Sequence, residues 1–307
     1  MTDYYGLSTR TLANDYLRLE YLAEAGPRLV RLILKNSASQ DNLFAETPQT
    51  SWPTPYGEYC LHGGHRLWHA PESPPRSSMP DQSGLEVKEL SDGVRLCQPT
   101  EPATGIRKSM EIRLFPDRPA LTVKHELYND GCWPVELAPW AITQLALGGV
   151  AVLPQTVGPL DPHGVLPNRY LVLWPYTQSR DVRLEQYNDF VLVHGRPQEP
   201  ACKIGYLNRL GWAGYLLGDV FFVKRICPQP ARPHPDFGCN VEVYCSTECL
   251  ELETVAPLAQ LAPGETVTHI EQWEFFTGLK VSPTVDEIRN LANALAPQAL
   301  LPICQEA

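Results

Sequence analysis

Thirty prolines and 21 glycines are scattered along this chain rather than gathered in one tract. Proline removes a backbone donor and clashes inside a helix, and glycine weakens helix interiors. Long helices are therefore disfavoured. What lies between these breaks is short, alternating and apolar on one side, which is the pattern of strands joined by turns.

The clearest alternation runs over residues 240–276. Residues two apart on a strand share a face. Leu250 and Leu252 therefore point one way, and Cys249, Glu251 and Glu253 the other. On the preceding segment Asn240, Glu242 and Tyr244 form the polar set against Val241, Val243 and Cys245. The link Ser246-Thr247-Glu248 predicts a hairpin that brings Glu242 near Glu251 and Glu253. Ala262-Pro263-Gly264-Glu265 is a tight turn. Further strands are predicted over 15–20, 28–34, 85–90, 94–98, 105–115, 120–128, 135–147, 190–193, 203–206, 212–217 and 220–226.

Two Pro-rich, aromatic stretches interrupt the strands. Residues 46–83 hold Trp52, Tyr56, Tyr59 and Trp68 with His62 and His65, and are read as a long ordered loop with short strands. Residues 154–180, with Trp174 and Tyr176, form a second such loop. Near the C-terminus Thr284-Val285-Asp286-Glu287 is a capping box. Val285, Ile288, Leu291 and Leu295 follow as a helical apolar stripe, and Pro297 ends it. The expected architecture is all-β, one domain over residues 1–307, with a helix at 284–295 on its outside.

The net charge is -10 without any basic run, which argues against nucleic acid or an anionic membrane as partner. No apolar run has membrane-spanning length. The N-terminus lacks the order of a signal peptide, so a cytoplasmic location is expected. Nine cysteines are then expected as thiols rather than as a disulfide frame.

Glu242, Glu251 and Glu253 on one face would raise one another's pKa, which suits acid-base work near neutral pH. His62, His65 and His69 have a spacing that permits a metal, yet nothing else completes a ligand signature, so no metal is expected. Arg66 offers the paired donors of a guanidinium for hydroxyls or carboxylates. Of Lys224 and Arg225, one must face each side of its strand, and a basic group on the carboxylate face could bind an anionic substrate. Trp68, Trp140, Trp174 and Tyr176 have rings that stack on a pyranose. Cys239, Cys245 and Cys249 read as small buried residues or free thiols.

The segments DYLRLEYLAEAGPRLVRLIL, NLFAE, HGGHRLWHAPE, FFVKRI, GCNVEVY and LELETVAPLAQLAPGETVTHIEQW together resemble the galactose mutarotase-like (aldose 1-epimerase) superfamily, in particular its bacterial members. The resemblance spans about residues 14–277. It implies a β-supersandwich of antiparallel strands with a small-molecule carbohydrate on a concave sheet face, no cofactor, and epimerisation at C1 of an aldose or modified sugar. The alternative it leaves open is a non-catalytic carbohydrate-binding protein on the same scaffold. The family's base is a late-strand Glu, which is Glu253 or Glu251 here, with Glu253 preferred. The family's acid is a His that should fall near residues 136–144. No His is there, and Trp140 stands close to that position. The resemblance then implies His65, or else His62 or Lys224, as acid. Arg66 and Gln144 would orient hydroxyls, with Trp68, Trp140, Asn240 and Glu242 around the sugar. Oligomeric state is not readable from the chain.

Overall fold

The computed structural model describes residues 2–281 and 284–295. Strands dominate, as the proline and glycine spacing requires, and they pair antiparallel. They form two large sheets and one separate hairpin. The first sheet runs Thr2–Tyr4, Leu7–Ala13, Leu17–Leu22, Arg28–Leu34, His65–Ala70, Val135–Leu145, Leu250–Val255, Val241–Cys245, Cys202–Tyr206 and Val172–Leu173, with Ala259–Leu261 pairing beside Val135–Leu145. The second runs Leu184–Gln186, Phe190–His194, Val150–Pro154, Trp212–Leu217, Val220–Arg225, Thr266–Phe276, Ala120–Asn129, Ile106–Leu114, Gly93–Cys97 and Glu86–Glu89.

The sheets face each other across a continuous apolar core. Leu19, Leu32, Leu250 and Leu252 of the first meet Ile112, Val123, Phe222 and Trp273 of the second. Period-two alternation produces this: each strand sends its apolar set inward and its other set out.

The outer faces differ. Val285–Leu295 is a helix, capped where Thr284 Oγ1 accepts the Glu287 N–H at 3.4 Å. Its Ile288 and Ala292 are buried against Val150, Phe190, Trp212 and Phe221, on the outside of the second sheet. The expected stop at Pro297 lies outside the described residues. Among the described residues no helix is long and apolar enough to cross a membrane.

Residues 46–70 are more regular than the predicted loop. Glu46–Thr54 and Gly57–Gly63 form the separate hairpin, and His65–Ala70 is a full member of the first sheet. Gly63 and Gly64 make the sharp join, with φ of 94° and 69°. A Cβ on Gly64 would lie 1.8 Å from Leu29 O, so only glycine fits. The thiol expectation also needs correction: Cys60, Cys97, Cys132, Cys202, Cys239, Cys245 and Cys249 are free, but Cys227 is disulfide-bonded.

Candidate functional site

The outward set of the first sheet builds the site. Pairing places Glu251 opposite Gln144 on one side and Tyr244 on the other. Glu253 is flanked in the same way by Ile142 and Glu242, and Trp140 lies opposite Trp68. Arg66 is two residues before Trp68 and shares its face. All of these side chains leave the sheet on the side away from the core.

A cavity of about 310 Å³ opens there. Its floor is Arg66, Trp68, Trp140, Gln144, Lys203 and Glu251. The hairpin contributes Thr50, Trp52 and Leu61 as one wall, and Tyr176 and Tyr244 stand opposite, with Glu72 and Glu248 at the rim.

The floor is a network of paired charges. Arg66 Nη2 lies 2.9 Å from Glu251 Oε1, and its guanidinium carbon sits 4.7 Å from the Trp68 ring centre. Lys203 Nζ lies 2.8 Å from Glu242 Oε2 and 2.9 Å from Glu253 Oε2. It also sits over the rings of Trp140 and Trp174, at 4.5 and 4.8 Å. Trp140 Nε1 donates to Glu253 Oε2 at 2.6 Å. Burial pulls the Lys203 ammonium down, but Glu242 and Glu253 overcome it and hold it well above the usual lysine range. Burial pushes the Glu242 carboxyl up to about 8, against the opposing pull of Lys203 and with the added push of Glu253. One cation cannot fully satisfy two carboxylates. Trp140 supplies Glu253 with a second donor, and Glu242, lacking one and raised to about 8, keeps its proton at neutral pH. Burial also raises Glu251, with Arg66 opposing and Glu253 reinforcing the shift.

The predicted residues separate into three groups. Arg66, Trp68, Trp140, Gln144 and Glu251 line the cavity. Glu242 and Glu253 share the face but are fully buried beneath the floor, gripped by Lys203. The remaining four lie elsewhere, which corrects their expected roles. His65 points between the sheets, its Nδ1 2.8 Å from Thr143 Oγ1 and its Nε2 2.8 Å from His125 Nε2. It has the opposite parity to Arg66 on the same strand. Lys224 is also between the sheets, 3.0 Å from Glu271 and 2.7 Å from Thr143 Oγ1. His62 is buried near Arg28, and burial, with that guanidinium, takes its imidazole down to about 4. Asn240 staples a turn, accepting the Asn208 N–H at 2.6 Å and donating to Asn208 O at 2.9 Å.

Lys203 is the cavity-lining residue the sequence reading passed over. Its strand, Cys202–Tyr206, alternates in the sequence, with Cys202, Ile204 and Tyr206 as the core set, so parity alone would have put Lys203 on the face of Glu242.

Potential ligand atoms of His65, His125 and Glu271 lie within 4.8 Å of one another. Their hydrogen bonds are nevertheless complete. His125 Nδ1 donates to His269 O, which leaves Nε2 to accept from His65 Nε2–H. His65 Nδ1 then accepts from Thr143, whose oxygen accepts from Lys224. The Lys224 ammonium already fills the side of Glu271 that a metal would need, and we assign no metal there.

No protein-family model matches the chain, and no curated protein matches its sequence. Solved structures do share its shape. A putative aldose 1-epimerase from Escherichia coli matches with a TM-score of 0.51 and 15% identity, over 89% of this chain and 100% of that one. A galactose mutarotase-like protein from Lactobacillus casei matches with a TM-score of 0.54 and 13% identity, over 88% and 100%. The fold is galactose mutarotase-like. It also recurs inside a longer molecule: a TPR-domain containing protein from Parabacteroides distasonis matches with a TM-score of 0.61 and 14% identity, over 96% of this chain and 56% of that one. At such identities the mutarotase-like likeness establishes architecture alone. In that architecture Glu242, Glu251 and Glu253 sit on the outer face of the first sheet, and His65 on its inner face against His125 of the second.

Proposed function

We propose that this chain binds an aldose over the outer face of the first sheet and interconverts its anomers at C1. The observation that carries the reading is Glu251: a carboxylate of raised pKa on the floor of a cavity lined by Trp52, Trp68, Trp140 and Tyr176. Aromatic walls suit the apolar face of a pyranose, and a carboxyl shifted toward neutrality suits proton transfer at neutral pH.

The chemistry needs only protons. Glu251 takes the proton of the anomeric hydroxyl as the bond between C1 and the ring oxygen breaks, and the ring oxygen takes a proton in return. Rotation about C1–C2 and the reverse steps give the other anomer. Tyr244 is the donor we assign to the ring oxygen. It lines the cavity directly across the strand pair from Glu251, and burial pushes its phenol up to about 12, with Glu251 adding to the shift, so it carries its proton. This replaces His65, His62 and Lys224 as acid, since none of them lines the cavity.

Non-catalytic sugar binding is the second reading. The 2.9 Å contact between Arg66 and Glu251 favours it, because a guanidinium stabilises the ionised carboxylate and weakens it as a base. Exchange spectroscopy by NMR on a mixture of anomers separates the two. The proposal expects exchange faster than in buffer, and a loss of about a hundred- to ten-thousand-fold in Glu251→Gln. A sugar that binds while its anomers relax at the buffer rate would leave only the binding reading.

A further inference from the structure

Charge around this cavity bears on which sugar it takes. Glu72, Glu248 and Glu251 line it, and Glu242 and Glu253 lie directly beneath. Arg66 and Lys203 are the cations among its lining residues. Five carboxylates against two cations leave three negative charges uncompensated, or two when Glu242 holds its proton. Position sharpens the imbalance. The Arg66 and Lys203 side chains are only 5% and 6% exposed; Lys203 grips two carboxylates, and Arg66 meets Glu251 through Nη2, which leaves its buried Nε and Nη1 as donors for a sugar's hydroxyls, whereas Glu72 and Glu248 stand exposed at the rim. The charge that an entering ligand meets is therefore negative, and the rings around it present the electron-rich faces that attract cations.

A second observation is independent of charge. Gln144 is 1% exposed and lines the floor; its Nε2 donates to Cys249 Sγ, and its Oε1 acceptor has no partner. A buried acceptor of this kind calls for a donor. An ammonium is a donor only, with three N–H groups.

We infer that the sugar is an aminosugar bearing a free, protonated amine, and that uronates and phosphorylated sugars are rejected. This rests on the sugar-binding reading above. The carboxylates and rings hold the ammonium, while the sugar's hydroxyls meet the remaining polar groups.

Isothermal titration calorimetry tests it, with glucosamine, galactosamine and mannosamine each run against its parent hexose, and with N-acetylglucosamine, glucuronate and choline. At about pH 6.5 one amine is expected to bind roughly tenfold tighter than its parent, the sum of a few solvent-exposed ion pairs. N-acetylglucosamine should bind like glucose, and glucuronate more weakly than either. At about pH 9 the sugar's amine has lost its proton and the preference should vanish, although Glu242 is then ionised and the cavity more negative. In Glu72→Gln/Glu248→Gln the ratio of amine to parent affinity should fall to about twofold. Equal binding of amines and parents at pH 6.5 would overturn the amine selection and leave sugar binding standing. Binding of choline as tight as that of any aminosugar would make the site a cation cage and overturn the proposal. If no sugar binds, both readings fall together.

Discussion

Lys203 shows how one side chain sets the chemistry of two others. Its ammonium lies within 3 Å of both Glu242 and Glu253, each of which is 0% exposed. Removing one partner of a buried charge group strands the rest. Lys203→Met is therefore expected to cost on the order of 3–5 kcal/mol of stability at neutral pH, read from urea unfolding. A loss below about 1 kcal/mol would mean that the carboxylates do not depend on it. Glu251 and Glu253 should separate in the same way. Glu251→Gln should lower turnover with little effect on unfolding, whereas Glu253→Gln should lower stability first, since it loosens both Lys203 and Trp140. The sequence placed these two glutamates and Glu242 on one face correctly, because period-two alternation is visible wherever one face is apolar, as with Leu250 and Leu252. It could not rank them, because depth beneath a floor depends on what covers it. The covering residue here, Lys203, comes from a strand distant in sequence, Cys202–Tyr206, whose pairing to Val241–Cys245 sequence spacing does not reveal.

The strand His65–Ala70 serves both sides of the sheet. Arg66 and Trp68 face the cavity, while His65 and His69 face inward. The Pro-rich composition of the surrounding segment hid it as a loop. Once it is read as a strand, its parity alone removes His65 from the face that holds Arg66. His65→Ala would break the run of donors from Lys224 through Thr143 to His125. The expected result is a lower thermal midpoint with kcat per folded molecule within about twofold of the unsubstituted protein. A lost kcat with an unchanged midpoint would return His65 to the chemistry. The hairpin Glu46–Thr54/Gly57–Gly63 was legible only as aromatic density, since its partnering depends on the Gly63-Gly64 join that turns the chain back into the sheet.

The whole molecule should show a stability maximum near pH 6.5. Burial holds His65, His125 and His269 well below the ordinary imidazole value of 6.5, with His125 at about 4 and His269 at about 3. The unfolded chain therefore gains protons below about pH 6.5 that the folded chain does not, and stability falls as pH drops toward 4, by about 1.4 kcal/mol per pH unit for each histidine. Glu242 has the opposite sign. Its carboxyl is raised from 4.5 to about 8, so its contribution is complete below about pH 4.5 and is lost as pH rises through 8. His62, His69 and His234 are lowered as well and act with these three, while Glu251 is raised and acts with Glu242, so six histidines against two carboxyls should make the acid limb the steeper. Thermal midpoints measured from pH 4 to 9 check this, and a flat plateau down to pH 4 would contradict it.

The helix Val285–Leu295 covers the outer face of the second sheet. Its Ile288 and Ala292 are buried against that sheet, and its Arg289 clasps Asp189 at 2.6 Å. It is thus a shutter over an adhesive surface, the Phe190, Trp212 and Phe221 patch of the second sheet. A chain ending at residue 281 would keep both sheets and the cavity of the first, but would present that patch to its neighbours. Such a chain is expected to self-associate in light scattering while still binding its ligand, so that colloidal behaviour and recognition are governed from opposite sides of one sandwich.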